Sequence, residues 1–229
     1  MNEEAPSVIG KSVVRVDGWE KVSGTARYAD DLFFPRMAYA KIRRSDHPHA
    51  TITKLDTSHA EALPGVYAVI TARDLPGPKY GILPVSRDEE ALCTDKVRMV
   101  GDPLAAVAAV DEETAERAAD LIDVEYEVLP PIMSIEEALA QETVRIHEYG
   151  SGPNVQRAAA YEFGDVEEAF AQADLVREDI FYFEGNTHLP LEQHAAVAQW
   201  SPDGKLTLWS STQTPHYLPR ILAQVLQMP

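Results

Sequence analysis

Residues 104–110, LAAVAAV, are seven consecutive apolar positions with no polar residue at either parity of a two-residue repeat. A strand of this kind has no face to give to water, so the fold must place packed layers on both sides of it. The segments around it are patterned to supply those layers. Asp111-Glu-Glu-Thr offers a helix cap and an acidic first turn, and Ala115, Ala118, Ala119 and Ile122 recur on one helical face. Val124, Tyr126 and Val128 then alternate as a strand that Pro130-Pro131 ends. Upstream, Met37–Arg43 reads as a strand, Thr51–Asp56 as another, Ser58–Leu63 as a short helix and Gly65–Ile70 as a third strand. Strand–helix–strand thus occurs twice before residue 130, which predicts an α+β unit containing βαβ elements.

The flanking regions are less regular. Residues 1–18 form an arm, polar at first and then alternating through Ser12–Val16. VDGWEKVSGTARYADD (16–31) reads as extended loop with strand fragments, and 76–96 as loop punctuated by Pro and Gly. After the double proline, Ile135–Gln141 is a short helix and 146–157 a linker. Asp165 and Glu168 make a capping box for a helix running to Ala173. Leu175–Phe183, rich in aromatic and β-branched residues, reads as a strand, and Ser201-Pro-Asp-Gly joins 195–200 to 205–209 as a hairpin. Thr214-Pro215 predicts a helix start, with Tyr217, Leu218, Ile221, Leu222, Val225 and Leu226 on one face. No further strand follows to complete the sheet begun at Leu175. The pattern therefore predicts an N-terminal part of a longer polypeptide, or one member of a split subunit, with open edges to be covered by a partner chain.

With 37 acidic against 20 basic residues, a net charge of −17 excludes nucleic acid and anionic membrane surfaces as expected partners. The lone Cys93 can form neither an internal disulfide nor an iron–sulfur site, and reads as a plain thiol. The polar start MNEEAPSVIGK is unlike a signal peptide, and Pro103–Val110 is too short to span a bilayer, so a cytoplasmic protein is expected.

Common catalytic motifs are missing: there is no GxxxxGK[ST], GxSxG or HExxH, and no GxGxxG after a strand. His47 and His49 would share a strand face as a metal pair does, or simply occupy a turn. His188, Glu192 and His194 in HLPLEQH would share a face on a strand, as a proton relay, a metal site, a pocket wall, a subunit contact or a structural network. Trp19, Trp200, Trp209 and the aromatics at 181–183 suit strand packing or stacking on a flat cofactor. Ser210, Ser211, Thr212, Gln213 and His216 crowd a strand end that faces a helix N-terminus, a corner with donors for an anion or an oxo group.

The chain as a whole resembles the start of the molybdopterin-binding large subunit of the xanthine dehydrogenase/aldehyde oxidase family. The similar segments run in order: VDGWEKVSGTARYADDL (16–32), RRSDHPHATI (43–52), GVYAVITARDLP (65–76) and DKVRMVGDPLAAVAAVDEETAERAADLIDVEYEVLP (95–130). They continue with FGDVEEAFAQADLV (163–176), EGNTHLPLEQHAAVA (184–198) and LTLWSSTQTPHYLPRILAQVLQMP (206–229). YGILPV (80–85) and GDPLAAVAAVDEETAE look most like 4-hydroxybenzoyl-CoA reductase. The resemblance implies an arm over 1–19, an a/b hammerhead domain over 20–130, a linker over 131–157 and the N-terminal part of the first molybdenum-cofactor-binding domain over 158–229. It implies a molybdenum–molybdopterin cofactor in its cytosine dinucleotide form, and a small aromatic, purine or aldehyde substrate. Its implied partners are the remainder of the molybdenum subunit, a 2Fe-2S subunit and an FAD subunit. Gln213 matches the family glutamine that hydrogen-bonds an oxo ligand of molybdenum, while Glu192, His188 and His216 are candidates for a pocket wall or an interface. The family's Gly-rich cofactor loop and catalytic glutamate would lie beyond residue 229, so no catalytic residue is expected in this chain and no activity from it alone. The alternative is a non-catalytic assembly module of such a complex.

Overall fold

The structure, a computed structural model, describes residues 8–75, 77–81, 87–148, 150, 152 and 154–228. Its elements in chain order are α1 (Gly18–Val22), β1 (Tyr39–Arg44), β2 (Ala50–Asp56), α2 (Ser58–Glu61), β3 (Val66–Thr71), β4 (Lys96–Val97), β5 (Pro103–Ala109), α3 (Glu112–Asp120) and β6 (Asp123–Val128). They continue as α4 (Ile135–Ala140), α5 (Val166–Ala171), β7 (Ala196–Trp200), β8 (Leu206–Ser210) and α6 (Leu218–Val225). Contacts divide the chain into one unit of Met1–Pro35 with Glu184–Gln213, and another of Arg36–Phe183 with Thr214–Pro229. Among the described residues no helix is long and apolar enough to cross a membrane.

The larger unit is built on β5, the LAAVAAV strand. It lies between β1 and β3, antiparallel to both. On one face Ala105 and Val107 pack with Ala60 of α2 and with Ala118, Ala119 and Ile122 at α3. On the other face Leu104 packs with Ala50, Cys93 and Val97. The Ala105–Val107–Ala109 face is buried throughout, whereas on the other face Leu104 is buried, Ala106 and Ala108 are half-buried and Val110 is exposed, so the apolar run is covered more completely on one side than on the other. Asp111 caps α3, its Oδ1 accepting the Thr114 N–H at 2.8 Å. Ala115, Ala118 and Ala119 form the buried side of that helix; their small side chains let its backbone approach the sheet closely.

The expected βαβ elements are not formed. The second sheet has the order β4-β2-β6, and every ladder in both sheets is antiparallel. Each strand–helix–strand segment therefore starts in one sheet and ends in the other: β2 to β3, and β5 to β6. The physical reason is edge occupancy. β2 and β5 are both central strands whose two edges are already paired, so neither can accept its successor as a parallel neighbour.

Three other segments depart from expectation. Within 16–31 the chain forms α1 and a 3₁₀ turn at Ala29–Asp31 rather than strand fragments. Asp17 explains the first, since it accepts from Lys21 Nζ at 2.6 Å across one helical turn and binds Arg15 as well. The last helix starts at Leu218 with Pro219 in its first turn, later than Thr214-Pro215 predicts. Thr214 instead closes a turn, its carbonyl accepting from Tyr217 N at 3.0 Å and Leu218 N at 3.3 Å. Residues 175–183 form neither helix nor ladder, because a strand needs a neighbour for its main-chain groups and none of the described residues supplies one. Of the N-terminal arm, residues 1–7 lie outside the described residues, as do 82–85 of YGILPV.

The exit from the paired sheets is fixed by His49, which is 1% exposed. Its Nδ1–H donates to the Pro130 carbonyl at 2.9 Å, and its own carbonyl accepts from Leu129 N. Farther along, Lys96 Nζ donates to the Arg145 carbonyl and Arg98 Nε to the Ile146 carbonyl, which holds the stretch after α4 beside β4. Helix α6 is anchored by Val225, packed over Gly77 so closely that a Cβ at Gly77 would collide with the Val225 backbone.

Three outcomes follow. Asp111→Ala should lower the urea denaturation midpoint through loss of the α3 cap. Gly77→Ala should cost more, about 1–3 kcal/mol, because backbone must move. Burial, followed by the nearby Asp102 and Glu90 carboxylates, pushes the Cys93 thiol up to about 12. Native Cys93 should therefore resist alkylation at pH 8 and react only on unfolding, as mass spectrometry would show. Because the folded value lies above the ordinary 9.0, this thiol's contribution to stability is complete below pH 9 and declines as the pH rises toward 12.

Candidate functional site

The corner singled out by the sequence grows from the β7–β8 hairpin, whose register runs from Ala196 opposite Ser210 to Trp200 opposite Leu206. Its turn is Ser201-Pro202-Asp203-Gly204, closed by Ser201 N to the Lys205 carbonyl at 2.9 Å, with Gly204 at φ 84°. At the open end Ser211 extends the ladder. Its N–H donates to the Ala195 carbonyl at 3.1 Å, and its Oγ accepts from Ala195 N at 3.0 Å. Trp209 of β8 packs against Phe34, ring centroids 5.2 Å apart at 35°. The strand end is therefore clamped one residue before Thr212 and two before Gln213.

Gln213 leaves this clamp exposed. Its carboxamide makes no hydrogen bond among the described residues. His216 is also exposed, in the turn that precedes α6. It belongs to the other unit, as part of Thr214–Pro229.

HLPLEQH is not a strand. Residues 184–190 are irregular, Leu189 has φ 44° and Pro190 lacks an N–H, so the regular alternation is broken between His188 and Glu192. His188 and His194 are exposed, Glu192 is half-buried, and no pair among the three forms a hydrogen bond or ion pair. His47 and His49 are likewise no metal pair: His47 packs edge-on against Tyr126 with ring centroids 4.8 Å apart, while His49 serves Pro130. Among the described residues there is no group of three or more His, Cys, Asp or Glu able to hold a metal ion. Of the tryptophans, Trp19 and Trp200 are exposed.

One charged cluster is not apparent from residue spacing. Glu148 takes Lys96 at 3.1 Å and Arg98 at 3.5 Å. Burial raises the Glu148 carboxyl, but Lys96 and Arg98 together outweigh it and hold the group below its usual range. His147 Nδ1 lies 3.0 Å from Asp88, yet burial outweighs that carboxylate and lowers the imidazole. Burial thus works against an ion pair at this contact. The signal available in the sequence was Lys96-Val97-Arg98, two charges flanking a residue that is fully buried. Beside this cluster lies a cleft of about 370 Å³ lined chiefly by Ile132, Met133, Ile135, Ala138 and Ile146. Ser134, His147, Asn154 and Gln156 add polar groups to its walls.

Comparison with known proteins assigns both halves of the chain. Residues 23–130 match the family model of the aldehyde oxidase and xanthine dehydrogenase a/b hammerhead domain, and residues 146–229 match the molybdopterin cofactor-binding domain. The chain is 42% identical to the nicotinate dehydrogenase large molybdopterin subunit of Eubacterium barkeri, over 97% of this chain and 51% of that protein. It is 44% identical to a probable xanthine dehydrogenase subunit of Bacillus subtilis, over 88% of this chain and 27% of that one. The aldehyde oxidoreductase of Desulfovibrio desulfuricans superposes with a TM-score of 0.83 at 29% identity, covering 96% of this chain and 26% of that structure. The chain thus spans between about a quarter and a half of the length of these proteins. Together the two ordered matches and the shared fold place it in the xanthine dehydrogenase/aldehyde oxidase family, as the N-terminal part of a molybdopterin-binding subunit: the a/b hammerhead domain followed by the start of the cofactor-binding domain.

Proposed function

We propose that this chain is the N-terminal portion, or a split subunit, of a cytoplasmic molybdenum-cofactor oxidoreductase that hydroxylates a small heteroaromatic substrate and passes electrons to 2Fe-2S and FAD subunits. The observation that carries the proposal is the match of a hammerhead model and a cofactor-binding model in the family's order along one chain. Relatives named for nicotinate and xanthine, both nitrogen heteroaromatics, favour that substrate class over aldehydes. Both are named as dehydrogenases, which favours oxidation over the reductive dehydroxylation of a 4-hydroxybenzoyl-CoA reductase.

When bound, a molybdopterin cofactor, proposed here in its cytosine dinucleotide form, supplies two-electron oxidation coupled to oxygen transfer. The chain's own contribution is narrower. Gln213 would offer its amide N–H to an oxo oxygen of that cofactor, where a donor would stabilise developing negative charge. The Ser211–Ala195 clamp and the Phe34–Trp209 contact hold the strand from which Gln213 projects. His188, Glu192 and His216 are assigned to pocket wall or subunit contact, and none of them to proton transfer. The rival proposal is an assembly module that never meets the cofactor.

Two measurements separate the proposals. The enzyme assembled around this chain should contain molybdenum and pterin, and their absence from an intact complex would leave only the assembly module. Gln213→Ala should reduce kcat by about 10²-fold, the scale set by loss of one preorganised donor, with molybdenum content and subunit composition unchanged. Undiminished turnover in that variant would remove Gln213 from the site.

A further inference from the structure

Where β2 runs past its short neighbour β4, the larger unit holds a second cavity, of about 290 Å³. β4 pairs only Ala50 and Thr51 of β2, and Ile52 N adds one bond to the Asp95 carbonyl at 2.8 Å. The chain just before Asp95 is tied to β5 instead, Cys93 N donating to the Pro103 carbonyl at 2.7 Å. β2 also skips a residue in its other ladder. Ile52 lies opposite Tyr126 and Lys54 opposite Glu125, so Thr53 is a bulge on the cavity wall. β3, an edge strand of its sheet, and the 3₁₀ turn Ala72–Asp74 supply more of that wall. Every lining residue falls within the hammerhead match, 23–130, so one domain builds the whole cavity.

Its inner lining is apolar. Leu104 and Cys93 are buried, and Ile52, Leu55 and Val69 are half-buried. Its charged groups are only partly satisfied by one another. Lys54 is taken by Asp56 at 3.7 Å and Glu125 at 3.5 Å. Glu61 Oε1 accepts from Thr57 Oγ1 at 2.5 Å, and Asp74 Oδ2 accepts from Thr71 N at 2.8 Å. Glu61 Oε2 and Asp74 Oδ1 have no hydrogen-bond partner among the described residues, and neither has the Arg73 guanidinium, whose backbone N–H alone is bonded. One open cation and two open carboxylate oxygens thus edge an apolar interior.

We propose that this cavity binds a free α-amino acid with an apolar side chain. The side chain enters against Val69 and Leu104, the carboxylate meets the Arg73 guanidinium, and the ammonium group meets Glu61 and Asp74. Charge-assisted pairs of this kind match a planar guanidinium to a carboxylate and a compact ammonium to carboxylate oxygens. A simple anion fits less well, because it would face two carboxylates on a chain of net charge −17. An uncharged apolar molecule would leave the open polar groups without use. Nucleotides are too large, since pockets for drug-sized ligands begin at about 300 Å³.

Calorimetric titration of the enzyme assembled around this chain tests the proposal, with three probes that share one apolar body. L-Leucine should bind saturably with a Kd below about 1 mM, within reach of a ligand of that size. Isocaproate, which lacks the ammonium, and isoamylamine, which lacks the carboxylate, should each bind at least about tenfold more weakly, the scale of one lost charged hydrogen bond. Arg73→Gln should weaken L-leucine by a similar factor. Glu61→Gln should weaken L-leucine and leave isocaproate unchanged, which separates a lost contact from a damaged fold. In hydrogen exchange L-leucine should slow the amides of 69–74 and leave those of 132–138, beside the larger cleft, as they were. No saturable L-leucine binding up to about 10 mM, equal affinity for isocaproate, full affinity in Arg73→Gln, or protection at 132–138 in place of 69–74 would overturn the proposal.

Discussion

Strand β5 has no free edge and buries one face along its whole length, and the larger unit is arranged around that fact. Its edges are paired with β1 and β3, and its faces feed two separate apolar clusters. Leu55 and Val124 pack against both clusters, so the two sheets are joined through the layer that β5 organises. A slip of one residue would exchange Leu104 with its neighbours and put the wrong volumes on both faces at once. Few registers in the chain are so tightly specified. The antiparallel crossing to the second sheet follows directly, because a strand with two occupied edges must send its successor elsewhere.

The elements between residues 37 and 128 were legible from residue patterns because the information there is local. Period-two alternation, the Asp111 cap and the alanine face of α3 are each contained within about ten residues. Sheet partnership is not local. Nothing in Thr51–Asp56 or Gly65–Ile70 states which edges are already occupied, so consecutive strands looked like parallel neighbours and proved to belong to different sheets. The same limit appears in HLPLEQH. Spacing on an assumed strand brought His188, Glu192 and His194 together, and one residue at positive φ followed by a proline took them apart. The Glu148 cluster was illegible for the complementary reason, since it joins residues about fifty positions apart and each of its members looks like an ordinary surface charge.

Gln213 and residues 175–183 share a property that separates them from the rest of the chain: polar or apolar capacity left unused. A buried core such as that around β5 satisfies its own groups, and for that reason offers nothing to a partner. An amide donor already bonded within the chain could not serve an oxo group without first losing that bond. The distribution of burial is consistent with this division. Nearly all fully buried side chains fall between residues 45 and 122, whereas 157–191 are exposed throughout. The stretch from 157 to 191 therefore draws little of its stability from packing among the described residues.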